Sequence, residues 1–139
     1  MSTTGPGTVK VGTELPELVL PPISRTTLAL FAGGSGDHNP MHIDIDVARS
    51  AGRDDVFAHG MLPMAYLGRL LTTWVPQAQL RSFAVRFVAI TPVNGRPTCS
   101  GVVRAIEELD GERLAQVELE VRLEDGVVVV VGDAVVALP

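Results

Sequence analysis

Three Asx-Gly pairs punctuate the second half of the chain: Asn94-Gly95, Asp110-Gly111 and Asp125-Gly126. Asparagine, aspartate and glycine accept the positive φ angles of tight hairpin turns at little steric cost. Such a pair between alternating apolar and polar residues is a strong signal for antiparallel strands. The clearest alternation is in Arg113–Glu124. Ala115, Val117, Leu119, Val121 and Leu123 face one way; Gln116, Glu118, Glu120 and Arg122 face the other. With Arg81–Ile90, Thr98–Glu107 and Val127–Leu138, this segment predicts a meander of four antiparallel strands. The run Val127–Val131 has no polar face, which implies burial from both sides, by a helix and by another subunit or arm.

The helical signal is concentrated elsewhere. Met61, Leu62, Met64, Ala65, Leu67, Leu70, Leu71 and Trp74 recur at helical spacing, which predicts a helix over 61–74 buried around most of its circumference. Pro63 falls in its first turn, where proline is tolerated, and Pro76 ends it. Ser24 can cap a shorter helix through 27–32, closed by Gly33–Gly36, and 44–51 reads as another with acids at its positive end. Val9–Leu20, carrying Pro16, reads as an edge strand or extended arm, and residues 1–8 as a loose tail. A chain of 139 residues with 46% apolar content suits one domain with a sizeable core. The expected class is α+β: about five antiparallel strands around one long helix.

Several function classes are disfavoured. The net charge is −5 with both signs interspersed, and no basic block is present, so nucleic acid is not an expected partner. No apolar run spans a bilayer and the N-terminus has no signal-peptide core, so no membrane is expected and the location is expected to be cytoplasmic. A single cysteine, Cys99, excludes an internal disulfide and reads as a buried structural thiol. Ser35 lies between Gly34 and Gly36 but follows a helical segment rather than a strand, so the nucleophile elbow of serine hydrolases is not formed.

All three histidines fall between positions 38 and 59. Asp37 and His42 flank a turn containing Asn39 and Pro40, a pair that resists helix. Such a loop can aim a carboxylate and an imidazole at one water, which is a general acid/base arrangement. A structural role, with Asp37 closing an Asx-turn and His42 satisfied by a neighbour, is on these residues alone the commoner outcome. His59 and Gly60 precede the long helix, whose N–H groups can polarise a carbonyl; tight packing at Gly60 and ordinary capping by His59 are the alternative. His38 and His42 have metal-ligand spacing, but Pro40 between them argues against a shared helix face and no other Cys or His completes a shell. Neither metal nor cofactor is expected. The segment from Gly60 to Trp74 has no Asp or Glu, so acid/base chemistry must come from the preceding loop. Arg81, Arg86 and Arg104 can be set against a carrier's phosphates or read as solvated strand-face charges.

Phe31-Ala32-Gly33-Gly34-Ser35-Gly36-Asp37-His38-Asn39-Pro40-Met41-His42, with Ala48 beyond it, resembles the hydratase-2 motif of the MaoC-like dehydratases. Ala58-His59-Gly60-Met61-Leu62 is similar to that family's second block, in the same order and at about the same spacing. The resemblance covers most of the chain and makes 1–139 a single MaoC-like domain. It implies a hot-dog fold, an antiparallel sheet wrapped around a long helix. It also implies (R)-specific hydration of 2-enoyl thioesters, or dehydration of (3R)-hydroxyacyl thioesters, on coenzyme A or acyl carrier protein. By this similarity Asp37 and His42 hold the water, the Gly60 N–H binds the thioester oxygen, and Asn39, Pro40 and His59 shape the site. Some members carry a supporting serine in the helix; Gly68 stands there, which puts that support in doubt. The length resembles the catalytic subunit of mycobacterial type-II dehydratases, which leaves homodimer and heterodimer both open. Two other classes stay in view, a hot-dog thioesterase and a non-catalytic acyl-binding subunit. The first needs a carboxylate that the long helix lacks, and the second would be expected to have lost Asp37 or His42. Acyl-chain identity, including a bulky steroid-like group, is not fixed by these residues.

Overall fold

The computed structural model describes residues 8–139. The loose tail expected over 1–8 lies, Thr8 apart, outside the described residues. Strand β1 (Leu18–Val19) is followed by helices α1 (Arg25–Ser35), α2 (Ile45–Ser50) and α3 (Met61–Trp74), then β2 (Leu80–Phe87), β3 (Thr98–Leu109), β4 (Glu112–Arg122) and β5 (Val128–Leu138). The strands form one antiparallel sheet in the order β1-β3-β4-β5-β2.

Two hairpins stand where the Asx-Gly pairs predict them. Asp110 and Gly111 both take positive φ, 53° and 79°, the pattern of a primed hairpin turn between β3 and β4. Gly126 takes φ 88° between β4 and β5, and the Asp125 carboxylate accepts from the Val127 N–H at 3.0 Å.

The third pair makes no hairpin. Asn94 is left-handed at φ 67°, but β2 crosses the fold to pair with β5 rather than with β3. The expected four-strand meander is corrected here, for two physical reasons. The N-terminal arm fills the outer edge of β3, through Gly12 N–H to Val103 O at 2.8 Å, Leu15 N–H to Gly101 O at 2.9 Å and the β1 pairing. The Asn94-Gly95 turn is instead held by Ile23, whose carbonyl accepts from the Asn94 N–H at 2.6 Å and whose N–H donates to Gly95 O at 3.0 Å. The arm itself is strand only at Leu18–Val19, with an isolated bridge at Glu14.

Helix α3 packs Leu67, Leu70 and Leu71 into the sheet core with Val103, Val117, Leu119, Val121, Val129 and Val130. Burying each leucine contributes roughly 1.5–3 kcal/mol. The helix is not buried on most sides, however: Met61, Ala65, Arg69 and Thr72 form an exposed stripe at helical spacing. The apolar run of β5 has a local cause. Val121 pairs with Val130 and Arg122 with Val128, so Val129 bulges out of register. A bulge turns neighbouring side chains to one side, and Val129 and Val130 are both buried while Val127 is 44% exposed. The bulged Val129 carbonyl accepts from Val88 and Ala89 N–H groups at 2.9 and 3.3 Å, which brings the chain after β2 towards α3. A second, smaller core of Ile23, Leu28, Ala48, Val56, Ala58 and Leu62 ties α1 and α2 to the start of α3.

Candidate active site

The loop between α1 and α2 is stiffened by its own sequence. Helix α1 runs through Gly33 and Gly34 and ends where Gly36, left-handed at φ 78°, returns its N–H to Ala32 O at 3.0 Å. From there each polar side chain catches a backbone N–H two residues on. Ser35 Oγ accepts from Asp37 at 3.2 Å, Asp37 Oδ1 from Asn39 at 3.2 Å, and Asn39 Oδ1 from Met41 at 3.1 Å. Asn39 thereby caps the single 3-10 turn Pro40–His42, with Pro40 at its first position. Asp44 then caps α2.

This loop leaves Asp37 exposed and tucks His42 inward at 8% exposure. His42 Nδ1 lies 2.8 Å from the carbonyl oxygen of Phe57. A carbonyl only accepts, so Nδ1 carries a proton, and in the neutral ring the lone pair is on Nε2. The Phe57 ring meets His42 edge-on at 5.0 Å. His59, 1% exposed, stacks on His42 with centroids 4.1 Å apart and planes at 29°. Its Nε2–H donates to the Asp37 carbonyl at 3.0 Å, and its Nδ1 is buried without a partner. Burial, the largest influence, holds the His59 pKa below its ordinary 6.5.

Asp37, His42 and His59 each offer one oxygen or nitrogen within 4.8 Å of the others. That span fits one water making two hydrogen bonds of about 2.8 Å. His38 is not part of the cluster: the 3-10 turn, not a helix, follows it. The same three residues have the composition of a metal site, but the two imidazoles are stacked. Lone pairs lie in the ring planes, and planes only 29° apart do not converge on one ion within a ~2.1 Å metal–nitrogen bond.

Gly60 is the N-terminal cap of α3, and its N–H finds no acceptor among the described residues. That donor stands at the positive end of a helix of 14 residues. A cavity of about 170 Å³ is shared by His42 and Gly60, and walled also by Pro63, Phe87, Thr91 and Val130. A larger hollow of about 600 Å³ lies on the outer face of the sheet around Arg86, Arg104, Glu118 and Asp133, away from these groups. Arg104 is paired there with Glu118 at 3.0 Å, and Arg81 with Glu112, so neither stands free for a phosphate. Cys99 is fully buried, and burial pushes its thiol pKa up to about 12; it is inert. Phe57 and Phe87 escaped the sequence reading. A backbone carbonyl acceptor has no residue signature, and Phe87 reaches the site only because β2 pairs with β5.

Fold and site together define a hot-dog domain with Asp37, His42 and His59 clustered near the start of its central helix. The chain belongs to the family described as "MaoC like domain", whose model matches residues 9–125. Among curated relatives it is 29% identical over 134 residues to a mitochondrial 3-hydroxyacyl-[acyl-carrier-protein] dehydratase of Arabidopsis thaliana, covering 94% of this chain and 78% of that one. It is also 28% identical over 134 residues to the fatty acid synthase subunit beta of Saccharomyces cerevisiae, of which it spans 6%. Among solved structures, the (R)-hydratase from A. caviae involved in PHA biosynthesis superposes with TM-score 0.84 at 25% identity, covering 95% and 98% of the two chains. R-hydratase PhaJ1 from Pseudomonas aeruginosa gives 0.83 at 26%, covering 97% and 85%.

Proposed function

We propose that the chain adds water across the double bond of 2-enoyl thioesters, or removes it from (3R)-hydroxyacyl thioesters, carried on coenzyme A or acyl carrier protein. The observation that carries this reading is the meeting of Asp37 and His42 within 4.8 Å, across a cavity from the unpaired Gly60 N–H. In the hydration direction, the thioester oxygen takes the Gly60 N–H and the field of the α3 N-terminus. Asp37 and the free Nε2 of His42 hold the water between them. One removes a proton from it as the oxygen bonds to C3, and the C2–C3 π electrons move into an enolate. The group that took this proton then returns it to C2, which closes the C2–H bond, while the other holds the water's second hydrogen in a hydrogen bond. Asn39 and Pro40 form the turn that presents His42.

The test is turnover of crotonyl-CoA, followed by loss of enoyl absorbance. Asp37→Asn and His42→Ala should each lower kcat by ~10²–10⁴ with the fold intact by circular dichroism. Full activity in both variants overturns the mechanism. Release of free thiol without hydration indicates a thioesterase instead, a reaction for which α3 supplies no acid.

We further propose that two chains work together. Among the described residues the outer edge of β2 is unpaired, and Phe87 at its end and Val88 and Ile90 just beyond remain exposed, with 53%, 49% and 39% of their surface open. Light scattering at micromolar concentration should report a dimer of this chain. A monomer would favour a mixed pair with a related subunit.

A further inference from the structure

We infer that His59 is a positioning residue of this site: its Nε2–H holds the Asp37 backbone, and so ties the water-binding loop to the start of α3. This rests on the reading of Asp37 and His42 as the water-binding pair. His59 is 1% exposed and contacts the site from beneath. Its bond to the Asp37 carbonyl, 3.0 Å long, joins residues 22 positions apart. Among the described residues the other hydrogen bonds of 35–41 are local, so this bond, together with that of His42 to the Phe57 carbonyl, fixes where the loop sits. The next residue is Gly60. One short rigid link thus sets the distance from the water to the thioester oxygen.

The partners dictate the proton positions. The Asp37 carbonyl only accepts, so the His59 proton is on Nε2 and Nδ1 is a bare lone pair. A proton on Nδ1 would create a cation with no hydrogen-bond partner, stacked at 4.1 Å on His42 and edged by the Phe31 ring at 4.9 Å. His59 therefore stays neutral. Two backbone carbonyls select opposite tautomers in two stacked rings: Nδ1–H in His42 and Nε2–H in His59.

Two variants separate donor from ring. Glutamine places an amide N–H near the histidine Nε2 position, whereas phenylalanine keeps the ring and loses the donor. For crotonyl-CoA, His59→Phe should lower kcat by ~10² with KM nearly unchanged, the scale of a misplaced catalytic group. His59→Gln should recover most of that loss. Equal kcat in the two variants overturns the inference. Nitrogen-detected NMR of histidine-labelled wild-type protein gives a readout independent of activity and of variant folding. At pH 6.5, where an ordinary histidine is half charged, it should show His59 mostly neutral and in the Nε2–H tautomer. An Nδ1–H tautomer or a charged ring overturns the hold on Asp37. If the Nε2–H tautomer is found while Asp37→Asn and His42→Ala stay active, the catalytic reading fails and the structural link stands.

Discussion

The ring of Phe87 lies flat against Gly60, so close that a Cβ at position 60 would come within 3.2 Å of the ring carbons Cδ2 and Cε2. Phe87, 53% exposed, walls the cavity, and its ring can sit this close only because residue 60 has no side chain. Gly60→Ala keeps the N–H but crowds that space. We expect kcat/KM to fall by ~10–10² and stability by about 1 kcal/mol, since the exposed ring can shift. Adding Phe87→Ala should restore the stability lost at position 60, measured as a coupling in a double-mutant cycle of urea midpoints. Additive losses would mean the two residues do not meet.

The Asn39 side chain has one bond to lose. Its Oδ1 accepts from the Met41 N–H at 3.1 Å and caps the turn that presents His42. Asn39→Ala should cost about 1 kcal/mol of stability. Because the turn presents His42, one of the proposed water-binding pair, kcat should drop further than that cost suggests. Asn39→Asp keeps the acceptor and should recover both. Unfolding curves and crotonyl-CoA kinetics on the same preparations check this, and an Asn39→Asp variant as impaired as the alanine would refute the capping role.

These local devices explain why the site was legible in the sequence. Ser35, Asp37, Asn39 and Pro40 act on backbone groups two residues away, and such short-range chemistry is written in residue order. The Asp110-Gly111 and Asp125-Gly126 turns were legible for the same reason. The Asn94-Gly95 pair misled because positive φ specifies a turn and not which strands flank it. Whether β2 takes the edge of β3 or of β5 depends on the N-terminal arm, far away in sequence. The stack of His59 on His42 was likewise hidden. Both residues were candidates, but their contact follows from how the small core around Val56, Ala58 and Leu62 seats α3.

The buried imidazole predicts a pH dependence of stability. Folding holds the His59 pKa below its ordinary 6.5, chiefly through burial. Between the folded value and 6.5, the unfolded chain binds a proton that the folded chain does not. Stability must therefore fall as pH drops through that window and level off above it. His59→Gln removes this titration while the other ionisable groups stay in place. Urea midpoints at pH 7.5 and about 5.5 should differ more for the wild type than for the variant. Identical slopes would show that His59 titrates normally in the fold.

Gly132 is where the unexpected strand order is most exposed to test. On β5 it faces Val85 of β2. A Cβ there would meet the Ala84 carbonyl oxygen at 2.4 Å and the Val85 Cα at 3.1 Å. These are backbone atoms, so no rotamer change relieves them. Gly132→Ala must push β2 away from β5, and we expect a loss of about 1–3 kcal/mol. Strand β2 ends at Phe87, which covers Gly60, so the displacement should also reach the cavity and lower kcat/KM in the protein that remains folded. Val85→Ala removes the third close atom, Cγ1 at 2.8 Å, but leaves the backbone obstacles; it should rescue the variant only in part. A Gly132→Ala protein with wild-type unfolding and wild-type kinetics would show that β2 does not run tightly against β5, and the placement of Phe87 over Gly60 would fall with it.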